Sequence, residues 1–176
     1  MKKLFILTLA LVMTLSLAAC GGETIESSNT IESVSMVDVT TELGISLKLP
    51  SELTIQENPA LYVNMKTGDS AVFAVAEVAG YPLSDWTEEK VSDTYGIKYD
   101  DVVITNFENG KQINGKESVV SKLTLTTPKG SALTIVLVMV TDGNKNYTIT
   151  FSYGSDNTDG SLAKNLQACI DSITIK

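Results

Sequence analysis

The consecutive residues Leu133-Thr134-Ile135-Val136-Leu137-Val138-Met139-Val140 offer an extended chain almost nothing polar on either side. Successive side chains of a strand point to opposite faces, so a strand of this composition must be covered twice. Ala71-Val72-Phe73-Ala74-Val75-Ala76 has the same character. Both segments read as central strands of a sheet held between two layers.

The remaining pattern fills in that sheet. Ile45, Leu47 and Leu49 alternate with Ser46 and Lys48 over Gly44 to Leu49, a half-buried strand that Pro50 ends. Leu53 to Gln56 and Leu61 to Met65 are shorter candidates, and Lys66-Thr67-Gly68-Asp69 reads as a turn before a strand running from Ala71 to Ala79. Val102 to Phe107, Val119 to Thr127, Leu133 to Val140 and Tyr147 to Tyr153 follow, joined by short polar segments at Asn109-Gly110, Asn114-Gly115, Thr127 to Gly130 and Asp142 to Lys145. Such short joints imply an antiparallel meander. Tyr147, Ile149, Phe151 and Tyr153 alternate with Thr148, Thr150 and Ser152, which gives the last of these strands one wetter face.

Two helices complete the order. Pro82 to Tyr95 has Ser84 or Asp85 as cap, acidic residues for its first turn, and an apolar face of Leu83, Trp86 and Val91. Ser161 is placed to cap a second helix, whose Leu162, Leu166, Cys169 and Ile170 fall on one stripe before a closing strand from Ser172 to Ile175. Strands grouped in a meander with helices set between and after them make the class α+β, not α/β.

Composition removes several functions. The 176 residues are 43% hydrophobic and 19% charged, too apolar for disorder throughout. There is no His, and all 13 basic residues are lysines. The guanidinium forks that read phosphate and guanine are therefore missing, and no nucleic-acid partner is expected.

The amino terminus gives an address. Met1-Lys2-Lys3 precedes an apolar run from Leu4 to Leu17, shorter than the roughly 20 residues a permanent membrane span needs. It ends in Leu17-Ala18-Ala19-Cys20-Gly21-Gly22. That ending resembles the lipobox of bacterial lipoproteins, which implies cleavage after Ala19 and a diacylglyceryl group on Cys20. Residues 1–19 are thus expected to be a cleaved signal, leaving 11 lysines against 21 acidic side chains, a charge of −10. Anionic head groups would repel such a domain, so acyl chains on Cys20 must do the anchoring to the cell membrane, on its extracytoplasmic side. With Cys20 lipidated, Cys169 has no partner for an internal disulfide.

Residues 20–40 read as the lipidated cysteine and a flexible tether. The tether contains the duplicated Thr24-Ile25-Glu26-Ser27 and Thr30-Ile31-Glu32-Ser33, and a first edge strand is the alternative. As a coil, about twenty residues span roughly 25 Å. Residues 41–176 are assigned to one globular domain.

An early strand ending in Leu49-Pro50, a helix opening with Pro82-Leu83-Ser84-Asp85-Trp86, the meander, the Tyr147 to Tyr153 strand and a closing helix ending in Asp171-Ser172-Ile173 together resemble PsbP-like domains. The resemblance covers about residues 40 to 176. It implies an antiparallel sheet with helices on both faces, an α/β/α sandwich, in a group whose members serve as assembly factors or docking modules. It implies no ligand.

Three short motifs invite an enzymatic reading. Lys66-Thr67-Gly68, Ser155-Asp156-Asn157 and Ser161-Leu162-Ala163-Lys164 match the signatures of penicillin-recognising serine enzymes, but in reversed order and with the last two crowded together. Turn chemistry explains each of them. Asp100-Asp101, Asp142, Asp156 and Asp159 offer oxygens to calcium, yet no spacing fits a calcium loop. Cys169 alone on an apolar stripe reads as core, and Trp86 with the strand aromatics serves either a pocket or the core. Neither catalytic, metal nor cofactor-binding residues are therefore assigned, and no cofactor is expected. The expectation is a membrane-anchored lipoprotein that binds a protein or small ligand without catalysis. The alternative is a small hydrolase using carboxylates or a Ser and Lys pair.

Overall fold

The computed structural model describes residues 34–78 and 82–176. The apolar start, the Cys20 motif, the tether through Ser33 and the end of the expected Ala71 to Ala79 strand lie outside the described residues. No described helix is long and apolar enough to cross a membrane.

The chain is α+β. Strands β1 (Met36–Thr40), β2 (Ile45–Pro50), β3 (Thr54–Ile55), β4 (Leu61–Val63) and β5 (Ser70–Glu77) come first. A 3-10 turn (Leu83–Asp85) and helix α1 (Glu88–Gly96) follow. The meander is β6 (Asp100–Ile113), β7 (Lys116–Thr126), β8 (Ala132–Thr141) and β9 (Lys145–Gly154), and helix α2 (Ser161–Asp171) leads to β10 (Thr174–Ile175). Seven strands form one antiparallel sheet in the order β3-β4-β5-β9-β8-β7-β6, and β1-β2-β10 form a second.

β8 is buried on both faces as its composition demands, whereas β5 lies inside the sheet with only Ala71 and Phe73 of its apolar run buried and Ala76 exposed. β8 lies between β7 and β9, and β5 pairs with the other side of β9 through Phe73↔Ile149 and its neighbours. From β8, Val136, Val138 and Val140 enter one core with β2, Phe151 and α2, while Ile135, Leu137 and Met139 enter another with Val91 and Tyr95 of α1. The large sheet is therefore covered on one face by α1 and the 3-10 turn. On the other it is covered by α2 together with the small sheet. That second layer is more than a helix: β2 contributes Ile45, Leu47 and Leu49, all buried.

Four local readings change. Met36–Thr40 forms β1, inside the stretch assigned to the tether through residue 40, because Val37 and Val39 pair in register with Leu49 and Leu47. The folded unit thus begins at Val34, not at residue 41. Asn109-Gly110 is no turn: Gly110 takes φ 86° within β6, at a register shift against β7, and the Asn109 amide donates to the carbonyls of Leu83 and Trp86. Asn114-Gly115 does make the β6–β7 turn, with φ 48° and 77°. The first helix begins later than Pro82 and is capped by Thr87, whose hydroxyl accepts from Lys90 N, leaving Ser84 and Asp85 in the 3-10 turn.

Candidate functional site

The densest meeting of polar side chains lies at the start of α2. Gly160, not Ser161, is the N-cap residue. Ser161 is the first helical residue, and its hydroxyl donates to Glu52 Oε2, which also accepts from Asn64 Nδ2 at 3.3 Å. Asn64 Oδ1 in turn accepts from Lys66 N at 3.0 Å, fixing the β4–β5 turn. Asp69 closes that turn. Its carboxylate is fully buried and accepts from Asn157 Nδ2 at 3.2 and 3.3 Å.

Burial pushes the Asp69 carboxyl above its usual range, and the negative Glu52 adds to this, against the hydrogen bonds from Asn157 and Thr67. A Cβ at Gly160 would collide with the Asn157 amide. The tight Gly154 to Gly160 loop thus folds Asn157 inward onto Asp69. The result ties Glu52 and the β4–β5 turn to the distant start of α2.

This tie also accounts for the three serine-enzyme motifs. Lys66-Thr67-Gly68 is the turn that ends in Asp69, Asn157 is the residue that reaches it, and Ser161 begins the helix. The segments meet, but Ser155, Ser161 and Lys164 each have a structural partner outside the three motifs. Ser155 Oγ lies 3.1 Å from Thr134 Oγ1, Ser161 is bonded to Glu52, and Lys164 pairs with Asp159 at 3.4 Å on an exposed surface. Ser161 is buried.

Of the loop carboxylates, Asp142 and Asp101 are held by hydrogen bonds. Asp142 accepts backbone N–H bonds from Asn144 and Lys145 at 2.8 and 2.7 Å, which hold its carboxyl below the ordinary value. Asp101 accepts from Thr126 at 3.0 Å. Among the described residues, no three Asp, Glu, His or Cys side chains converge in a metal-binding arrangement. Cys169 is fully buried in the α2 core, and burial pushes its thiol up to about 12. On the opposite face Tyr95 is buried beside Thr150, with its phenol also pushed up to about 12 by burial.

Two shallow grooves mark the small sheet. One, of about 160 Å³, lies between Ile113, Asn114, Lys116 and Ile173, and the other, of about 300 Å³, spans Asp38, Thr40, Ser46, Lys48 and Ser172. Neither collects a pair of carboxylates.

No family model matches the sequence, and no curated protein matches it. Solved structures do match in shape. The solution structure of cyanobacterial PsbP (CyanoP) from Synechocystis sp. PCC 6803 aligns over 91% of this chain and 99% of its own, with 13% identity and a TM-score of 0.59. LpqN of Mycobacterium tuberculosis, described as involved in cell envelope biogenesis, aligns over 82% and 92%, with 12% identity and a TM-score of 0.54. A Pseudomonas aeruginosa protein of unknown function, described as a putative regulator, aligns over 80% and 97%, with 10% identity and a TM-score of 0.52. Likeness at such identity concerns shape alone. The chain has a PsbP-like fold.

Proposed function

We propose that the chain is an extracytoplasmic lipoprotein, held to the cell membrane by acyl chains on Cys20, whose PsbP-like domain is a non-enzymatic binding module. The observation that carries the anchor is Leu17-Ala18-Ala19-Cys20 at the end of a short apolar run behind Met1-Lys2-Lys3. The non-enzymatic part is supported by the commitment of Ser155, Ser161, Lys164, Asp69 and Asp142 to hydrogen bonds or ion pairs within the fold. The role in envelope biogenesis given for LpqN, a protein of the same fold, fits this address.

Cys20→Ala is expected to move the protein from the membrane fraction to a soluble or uncleaved form and to abolish metabolic fatty-acid labelling. Attachment and labelling that persist in this variant would refute the anchor. The hydrolase alternative has its own test. A penicillin-type acylating probe is expected to leave the protein unlabelled, and a stoichiometric adduct on Ser161 would replace binding with catalysis.

A further inference from the structure

Helix α1 buries Val91 and Tyr95 and turns the opposite stripe outward. On that stripe Glu89, Asp93 and Ile97 follow one another at i, i+4 and i+8, and Ile97 is 73% exposed. Residues 82–101 carry six acidic side chains (Asp85, Glu88, Glu89, Asp93, Asp100 and Asp101) against two lysines. The other described residues carry twelve against nine. More than half of the described net charge thus sits on the segment that also leaves Ile97 in water.

The neighbouring β6 is the outer strand of the large sheet, and its Val103 is 55% exposed. Register shifts at Asp100/Val103, Ile104/Asn106 and Asn109/Lys111 break its ladder with β7. A bulged strand of this kind is a poor template for a further regular strand. Recognition at this edge must run through side chains.

We infer that the outward face of α1, with the start of β6, is a docking surface for a cationic polypeptide that seats an apolar side chain against Ile97. The inference rests on the binding-module reading and names the class of partner. Charge complementarity selects the occupant: an anionic lipid surface is repelled, and a second copy of this chain would bring the same carboxylates face to face. Exposed carboxylates attract weakly and are screened by salt, so they steer, while burial of Ile97 supplies the discrimination.

The test uses the full chain in zwitterionic nanodiscs and a short fluorescent peptide of alternating Lys and Leu, with empty discs subtracted. Anisotropy is expected to report salt-sensitive binding that weakens about tenfold in Ile97→Ser and in Asp93→Lys, and not in Asp156→Lys. A Lys and Ser peptide is expected to bind far more weakly. Equal binding by the Lys and Ser peptide, an effect of Asp156→Lys as large as that of Asp93→Lys, or self-association lost in Ile97→Ser would each overturn the inference. Failure here leaves the Cys20 anchor standing, and failure of the anchor leaves this result readable.

Discussion

Phe151→Ala is expected to remove about 3–5 kcal/mol of unfolding free energy, a large share of what a domain of this size possesses. Phe151 is the largest fully buried side chain of the domain. It stands on β9 with Ala71 of β5 on one side and Val136 of β8 on the other. From there it belongs to the core that β2 and α2 close. Truncation leaves a void that two sheets and a helix would have to collapse into together, and packed layers relax only in part. Urea denaturation checks the prediction, with Ile55→Ala as control. Ile55 is 57% exposed on a two-residue edge strand and should change stability by no more than about 0.5 kcal/mol. A Phe151→Ala loss as small as the control's would mean that the core is assembled otherwise than described.

Asn157→Ala is expected to cost about 1.5–3 kcal/mol at neutral pH, because it strips the buried Asp69 carboxylate of an amide that reaches both its oxygens. The pH dependence gives this a sign. The folded Asp69 carboxyl titrates above its unfolded value, so the native state holds the proton more tightly than the unfolded chain does. The ionised group therefore weighs against folding above its raised value, and that cost is relieved as pH falls through this value toward the ordinary carboxylate range. Acidification should recover part of the Asn157→Ala loss. Asp69→Asn should be at least as stable as the wild type near pH ~7 and should flatten the profile across that window. An Asn157→Ala loss unchanged by Asp69→Asn would show that the two side chains are not coupled.

What the sequence discloses and what it conceals divide along sequence distance. Leu133 to Val140 shows its double burial in eight consecutive letters, and Leu162, Leu166, Cys169 and Ile170 show the buried stripe of α2 at helical spacing. Those signals are local, and the structure carries them out. Asn109-Gly110 has the letters of a turn, but pairing with β7 outweighs them and the pair becomes a bulge. Met36 to Thr40 alternates weakly and takes its shape from Leu47 and Leu49 across the pair. The Asp69–Asn157 and Glu52–Ser161 contacts join residues 88 and 109 positions apart. No period or motif announces such contacts, and the enzyme-like motifs owe their letters to turns and to bonds with residues outside them, Asn157 with Asp69 and Ser161 with Glu52.

β2 has both of its edges filled from opposite ends of the described chain. β1 pairs with it from just upstream, while Thr174 and Ile175 pair with Ser46 and Ile45. Ser172 Oγ accepts from Lys48 N across 124 positions. A ribosome delivers the amino-terminal side first. Ile45, Leu47 and Leu49 are therefore made early and must wait, apolar and half-paired, until the last strand arrives. Within the large sheet β5 likewise waits for β9, while β6 to β9 are joined by hairpins and have no such delay. Sequence distance thus favours a meander that forms before the small sheet is completed. Contacts of such long range slow the final step, and the interval before it is when this chain is most exposed to proteases and to other chains.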